Sequence, residues 1–353
     1  MISNHLFKIK RTSNYDFINR SKFYRLDRNE RNFPFPKNVI KNLYKSISDY
    51  SLQAYPGDKI NLISYIAKLE KLNKRFIEII PGSDTAIKYI FEIFSFKKSK
   101  FTSIYPTYGM LEVYSKIYRS KLFKVNLNKE NFSTKVFFKK GISWIYIANP
   151  NQPDGKIISL KKIKKIIQIA QKKKIFVVID EAYISFSRQG SIAKFVKKFN
   201  NLVVLKTFSK SVGLAGLRIG YLIASPKFIQ AINTVRPIFD VSSLSIKIAE
   251  YFLKNKKINK KYITEVSKTK NYMIQECKKR NLEYINTQAN FFYIRIKKNK
   301  IKKLHKTLLK NNILVRSNLL GNFKYIDGTI RVTLGEKKIM KKLFKIIDKV
   351  KFK

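Results

Sequence analysis

The middle of the chain is a succession of short, uninterrupted apolar runs of β type, and this constrains the fold more than any other feature. Trp144–Ala148 (WIYIA), Ile175–Ile179 (IFVVI), Leu202–Leu205 (LVVL) and Ile219–Ala224 (IGYLIA) show no apolar–polar alternation. A strand that is apolar on both faces has to be covered on both. Between the first two runs, Ile163, Ile166, Ile167 and Ala170 recur at helical spacing along an otherwise lysine-rich stretch. Strands separated by helical crossovers predict an α/β fold, a mainly parallel sheet with helices on both faces. Upstream, Ile87, Ile90, Phe91 and Phe94 predict a helix over Asp84–Phe94, opened by Gly82-Ser83-Asp84.

The last third has a different rhythm. Helical stretches at Ser245–Lys254 and Ile301–Leu309 alternate with strands at Asn290–Ile296, Ile313–Arg316 and Ile330–Leu334, and a basic helix closes the chain from about Glu336 to Val350. This predicts a smaller α+β lobe over residues 241–353 beside a large one over 51–240, with residues 1–50 packing against the smaller lobe. A length of 353 residues suits two lobes, since domains typically run to ~100–200 residues.

Composition removes several functional classes. An apolar share of 44% excludes a disordered chain. A lone Cys277 excludes a disulfide scaffold and fits a reducing, cytoplasmic setting. His5 and His305 are the only histidines, so neither a zinc site nor a Ser-His-Asp triad is expected, and no metal is assigned. The longest charge-free stretch, Gly141–Pro153, breaks on two prolines, so no membrane span is expected; the N-terminus has no apolar signal core. Seventy-five Lys plus Arg against 22 Asp plus Glu give a net charge of +53, which alone suggests nucleic acid. The lysines, however, are spread through nearly every segment, and the 12 glycines are about half the usual ~7%. Over-use of Ile, Asn, Phe, Tyr and Lys together is the mark of A/T-rich codons. No specific nucleic-acid partner is therefore expected, though small anions would be drawn to such a surface at low salt.

Four local sequences are unusual for mere packing. Asn149-Pro150-Asn151-Gln152-Pro153-Asp154-Gly155 follows the first buried strand as a stiff turn presenting amides. Asp180-Glu181-Ala182-Tyr183 ends the second, where a carboxylate needs a cation or a strong donor. Thr207-Phe208-Ser209-Lys210 follows the third and precedes Gly213, Gly216, Arg218 and Gly220. A lysine there can serve as an amine nucleophile beside an anion site, and the glycine spacing fits neither a P-loop nor a dinucleotide fingerprint. Arg331 lies inside a late strand and could clamp a carboxylate or phosphate bidentately. Taken singly, each has a plain alternative: a turn, a helix cap, a solvent-facing lysine, an edge-strand arginine.

Their order carries more than any one of them. An amide turn, a carboxylate–tyrosine pair, a hydroxyl-flanked lysine and a late arginine, mostly at strand ends, resemble the class I/II aminotransferases of pyridoxal-phosphate fold type I. Within these the chain resembles the histidinol-phosphate aminotransferase group. Asp27-Arg28-Asn29-Glu30, Tyr55-Pro56-Gly57-Asp58, Pro81-Gly82-Ser83-Asp84, Tyr105-Pro106-Thr107-Tyr108 and Ala289-Asn290-Phe291 extend the likeness over most of the chain. It departs from the usual amide turn, which has asparagine where Gln152 stands and threonine where Asp154 stands.

The resemblance implies a seven-stranded, mainly parallel sheet and pyridoxal 5'-phosphate as cofactor. Lys210 would join the cofactor aldehyde and then move protons; Asp180 would pair with the ring nitrogen; Tyr183 and Gln152 would meet the ring hydroxyl, and Tyr108 would stack on the ring. Gly82, Ser83, Asp84, Thr207, Ser209 and Arg218 would surround the phosphate, joined by Tyr55 from a neighbouring copy, which implies a homodimer. Arg331, with Arg316 and Asn290, would take the substrate's acidic group. The implied reaction moves an amino group from glutamate to an oxo-acid or oxo-phosphate. Two alternatives stand beside it: a decarboxylase of the same fold, like those acting on threonine phosphate, and a nucleic-acid-binding protein on a dead enzyme fold. The second conflicts with Lys210, Asp180, Tyr183 and Arg218 all being present.

Overall fold

In the computed structural model, which describes residues 3–9, 19–57, 59–95, 99–127, 132–317 and 326–351, the strands form three sheets. They are β1 Tyr24–Arg25, β2 Ile77–Ile80, β3 Lys100–Ile104, β4 Lys121–Val125, β5 Trp144–Ala148, β6 Phe176–Asp180 and β7 Leu202–Thr207. These are followed by β8 Gly220–Ile223, β9 Tyr284–Ile285, β10 Phe291–Arg295, β11 Ile313–Leu314, β12 Arg316–Ser317 and β13 Thr329–Thr333.

The large sheet has seven strands in the order β2-β8-β7-β6-β5-β3-β4. Strands β3 to β7 are all parallel, and β8 alone runs against its neighbours β7 and β2. Side chains alternate strictly between two covered faces. Trp144, Tyr146, Ala148, Val178, Val203, Leu205 and Leu222 pack with helices Gly82–Ser95, Gly109–Ile117 and Pro226–Val235. Ile145, Ile147, Val177, Ile179, Leu202, Val204 and Ile223 join the opposite cluster, beneath helices Lys59–Glu70 and Leu160–Lys172. The buried residues of the latter helix are Ile163, Ile166, Ile167 and Ala170, the face its spacing predicts. Burial on both sides explains the unbroken apolar runs.

Three strands of this sheet have no such run. β2 contains Glu78, while β3 and β4 begin on Lys100 and Lys121 and include Ser103 or Lys124. Their place is decided by pairing.

The C-terminal part builds a four-stranded antiparallel sheet, β12-β13-β10-β9, under helices Lys256–Lys279, Lys298–Lys310 and Lys337–Lys351. The stretch read as one strand over Ile313–Arg316 is divided between two sheets. β11 pairs in parallel with β1, so the N-terminal segment is tied to this part, and Leu26 enters its core. Helix Ser243–Lys254 instead buries Ile246, Ala249, Phe252 and Leu253 in the cluster that holds Leu62 and Ile66 of the large sheet's cover.

Among the described residues no helix is long and apolar enough to cross a membrane, and no group of three or more His, Cys, Asp or Glu could hold a metal ion.

Candidate active site

Parallel strands all end on the same edge of a sheet, and that edge collects the unusual sequences. β2 delivers Pro81-Gly82-Ser83-Asp84, β3 delivers Tyr105 to Tyr108, β5 the Asn149–Gly155 turn, β6 Asp180 to Tyr183 and β7 Thr207 to Lys210. Because β8 runs backwards, the loop from β7 returns to the same edge and places Arg218 just before it.

Two glycines are required by close approach. Gly155 has φ +65°, and a Cβ there would lie 2.2 Å from that of Thr287. Its N–H closes the amide turn on the Asn151 carbonyl at 2.8 Å. A Cβ on Gly220 would lie 2.6 Å from the Lys206 carbonyl and 3.1 Å from Gly82 Cα. The start of helix Gly82–Ser95 therefore rests directly on β8, next to Arg218.

The result is a cleft of about 260 Å³. Its walls include Ser83, Asp84, Tyr108, Gln152, Asp180, Tyr183, Thr207, Ser209, Lys210 and Arg218, drawn from each of the five strand-end segments and the return into β8. The Lys210 Nζ donates to the Arg28 carbonyl at 3.2 Å and lies 5.6 Å from the centre of the Tyr183 ring. The Tyr183 hydroxyl accepts from Asn29 Nδ2 at 2.9 Å and donates to Gln152 Oε1 at 3.1 Å. The extra methylene of Gln152 thus still reaches the tyrosine. Tyr108 donates to Asp84 Oδ1 at 3.2 Å, and burial together with that carboxylate holds its phenol well above the ordinary value.

Asp180 is the electrostatic centre. It is buried, its Oδ1 accepts from the Ala182 N–H at 3.0 Å, and its Oδ2 accepts from the Tyr146 hydroxyl at 2.8 Å. Burial pushes its carboxyl up to about 6 against the pull of those two bonds. Neither oxygen meets a cation among the described residues. The adjacent Glu181 points to the other face of the sheet, where Lys206 lies 3.5 Å from it and 2.8 Å from Glu70.

Other expected residues lie outside the cleft wall. Arg331 and Asn290 are buried behind it and hold the segment that carries Arg28. Arg331 Nη2 donates to the Asp27 carbonyl at 2.7 Å, and Asn290 Nδ2 to the Asn29 carbonyl at 3.1 Å. Arg331 Nε is buried and makes no hydrogen bond among the described residues. Arg316 is exposed and faces Arg331 across the β12–β13 pair. Tyr55 is 76% exposed and stacks on Phe239 at 4.7 Å; Asp58, from the same motif, lies outside the described residues. A Cβ on Gly82 would lie 3.3 Å from Arg218 Nη2.

The cleft also contains residues to which the sequence assigns no part: Arg28 and Glu30 at one wall, and Tyr146 in the floor. Glu30 is bound to Arg20 at 2.8 Å. Arg28 and Glu30 belong to the Asp27–Glu30 motif, and Tyr146 leaves a trace of its own, a phenol within an apolar strand that is buried throughout, where its hydroxyl must find a partner.

The sequence model of the aminotransferase class I and II family matches residues 24–347. The histidinol-phosphate aminotransferase of Caldanaerobacter subterraneus subsp. tengcongensis is 30% identical over 343 residues, 95% of each chain. That of Clostridium novyi is 32% identical over 92% of this chain and 90% of its own. Among solved structures, histidinol-phosphate aminotransferase from Sinorhizobium meliloti in complex with pyridoxal-5'-phosphate superposes with a TM-score of 0.87 at 18% identity. It covers 99% of this chain and 97% of that one.

Proposed function

This chain belongs to the class I and II aminotransferases, and we propose that its cleft binds pyridoxal 5'-phosphate and moves an amino group from glutamate to an oxo-acid or oxo-phosphate. In this reading the acceptor is an oxo-phosphate whose aminated form resembles the histidinol phosphate in its relatives' name. One observation carries the reading of the site: Asp180, a buried carboxylate without a cation, shares a cleft with the amine of Lys210. A cationic ring nitrogen is the partner such a carboxylate lacks.

The donor set fits the cofactor. When bound, pyridoxal phosphate supplies an aldehyde for amines and a ring that accepts the electrons released at the substrate's α-carbon. Lys210 Nζ would hold the aldehyde and, once the substrate's amine has displaced it there, would carry the proton to and from that carbon. Asp180 holds the proton on the ring nitrogen. Tyr183, which accepts from Asn29 and donates to Gln152, would meet the ring hydroxyl with its remaining lone pair, and Tyr108 would cover a ring face. The N–H groups at the start of helix Gly82–Ser95 and the side chains of Ser83, Thr207, Ser209 and Arg218 would hold the phosphate.

Arg331, supported by Asn290 and with Arg316 nearby, takes the substrate's acidic group, which gives its buried Nε an acceptor. Arg331→Lys keeps the charge but loses the planar fork. A hydrogen bond to a charged group is worth ~1.5–3 kcal/mol, so apparent glutamate affinity should fall about ten- to a hundredfold while cofactor binding stays. Unchanged half-reaction kinetics with only a lower melting temperature would reduce Arg331 to its bond with the Asp27 carbonyl.

We further infer a homodimer. Tyr50, Leu52, Tyr55, Ile238 and Phe239 are all exposed, and the Tyr55–Phe239 stack brings their two segments together as an apolar surface. In this reading Tyr55 reaches the phosphate of a second copy. The N-terminal segment, expected to pack against the smaller lobe up to residue 50, is shared: Leu26 and Phe33 join the C-terminal core, whereas Phe35 and Val39 join the large one, and the lobes divide again after helix Ser243–Lys254. The protein works in the cytoplasm, where a free, buried Cys277 suits the reducing conditions.

The test is a panel of oxo-acids and oxo-phosphates offered to the purified pyridoxamine-loaded protein. Its absorbance should return to the pyridoxal form with an oxo-phosphate and with 2-oxoglutarate. Failure to take up the cofactor would refute the reading of the cleft. Release of carbon dioxide from an amino-acid phosphate, without amino transfer, would make the chain a decarboxylase.

A further inference from the structure

Tyr146 has no part in the roles above, yet among the described residues it is the only side chain hydrogen-bonded to the Asp180 carboxylate. It is wholly buried in β5, on the face it shares with Ala148, whose register partner across β6 is Asp180. Period-2 alternation carries its ring along that face, and the hydroxyl arrives 2.8 Å from Asp180 Oδ2. The Ala182 N–H holds the other oxygen at 3.0 Å. A phenol has one proton to donate, and here it is committed to the carboxylate.

We propose that Tyr146 is a positioning residue for amino transfer, whose hydroxyl fixes the plane of the Asp180 carboxylate and keeps it charged so that it holds the proton on the cofactor's ring nitrogen. This rests on the reading of Asp180 given above. The surroundings otherwise work against the charge. Burial, Glu181 and Asp84 all favour the neutral acid, while Tyr146 and the Ala182 N–H oppose them. Tyr108, Tyr183, Lys210 and Arg218 face the same cleft from the other elements. A tyrosine that merely filled the core would need an acceptor, but any carbonyl would serve.

Tyr146→Phe removes one oxygen from a filled site, and Tyr146→Met fills the same space without a donor; both carry the same expectation. In the cofactor-free protein, the carbon-13 resonance of the Asp180 carboxyl, identified by its loss in Asp180→Asn, should titrate about 1–2 pH units higher in the variant. In protein loaded with ring-nitrogen-15 pyridoxal phosphate, the nitrogen signal should move toward the deprotonated value near neutral pH. The kcat should fall with little change in KM for the donor. An unmoved carboxyl titration and nitrogen signal, with only the melting temperature lowered, would overturn the proposal. A wild-type protein whose ring nitrogen carries no proton would remove the reading of Asp180, and this one with it.

Discussion

Lys210→Ala is expected to abolish amino transfer while leaving the protein folded and still able to take up pyridoxal phosphate non-covalently. The residue is half-buried, and its one hydrogen bond runs to the Arg28 carbonyl at 3.2 Å, which water can replace at the cleft mouth. Truncation therefore leaves no buried group without a partner, and stability should change by no more than about 0.5 kcal/mol. Chemistry should suffer on two counts. The amine that binds the cofactor aldehyde is lost, and so is the base that moves the proton at the substrate's α-carbon. Loss of a positioned proton-transfer group alone costs ~10²–10⁴ in rate, and the nucleophile's loss adds to it. Stopped-flow absorbance with glutamate, together with reduction by borohydride and mass measurement of the adduct, checks both effects. Wild-type rates in the alanine protein, or a borohydride adduct on another lysine, would move the reaction away from Lys210.

Asp180→Asn should separate activity from stability in opposite directions. A neutral amide cannot hold the ring nitrogen's proton, so turnover of the cofactor-loaded protein should drop by ~10²–10⁴. The cofactor-free protein should gain stability near neutral pH. The native carboxyl is pushed up to about 6 by burial, against 3.8 in the exposed group. Below about pH 4 both folded and unfolded chains carry the proton, and the native state has no penalty. From about 4 to 6 the unfolded chain releases its proton before the native one does, so the native state binds more protons and stability falls as pH rises. Above 6 the full cost of an ionised, buried group remains, a difference of roughly two pH units or about 3 kcal/mol. Asparagine has no such slope. The Tyr146 hydroxyl can turn to accept from its amide, and the Ala182 N–H keeps an acceptor. Denaturant unfolding of both cofactor-free proteins should therefore agree near pH 4 and diverge by about 1–3 kcal/mol in the variant's favour at pH 7. Parallel curves across that range would show that Asp180 is not carrying an uncompensated charge. Destabilisation of a protein by the group that serves its chemistry is a common exchange.

Much of this site was legible because its informative features are local. Pro150, Pro153 and Gly155 make a turn in any context, and a carboxylate at the end of IFVVI stands out against the apolar run before it. The four strands with unbroken apolar faces could be read because burial on both sides leaves a signature in every residue. β2, β3 and β4 could not, since Glu78, Ser103 and Lys124 interrupt them and ladder pairing supplies what the pattern lacks. Ile313–Arg316 looked like one strand for the opposite reason: its residues suit β structure, but two different partners, β1 and β13, divide it.

The sequence by itself determined the α/β class, the family and the cast of the cleft: Lys210, Asp180, Tyr183, Gln152, Ser83 and Arg218 are each marked by a neighbouring turn, strand end or helix start. Their meeting follows from strand direction, which sends the carboxyl ends of β2 to β7 and the amino end of β8 to one edge once the order β2-β8-β7-β6-β5-β3-β4 is set. That order depends on contacts between residues far apart in the chain. So do the Tyr146–Asp180 bond, the wall formed by Arg28 and Glu30, and the grip of Arg331 on the Asp27 carbonyl 304 positions away. Local patterning reports burial and turn chemistry; which buried donor meets which acceptor is decided only when the whole chain packs.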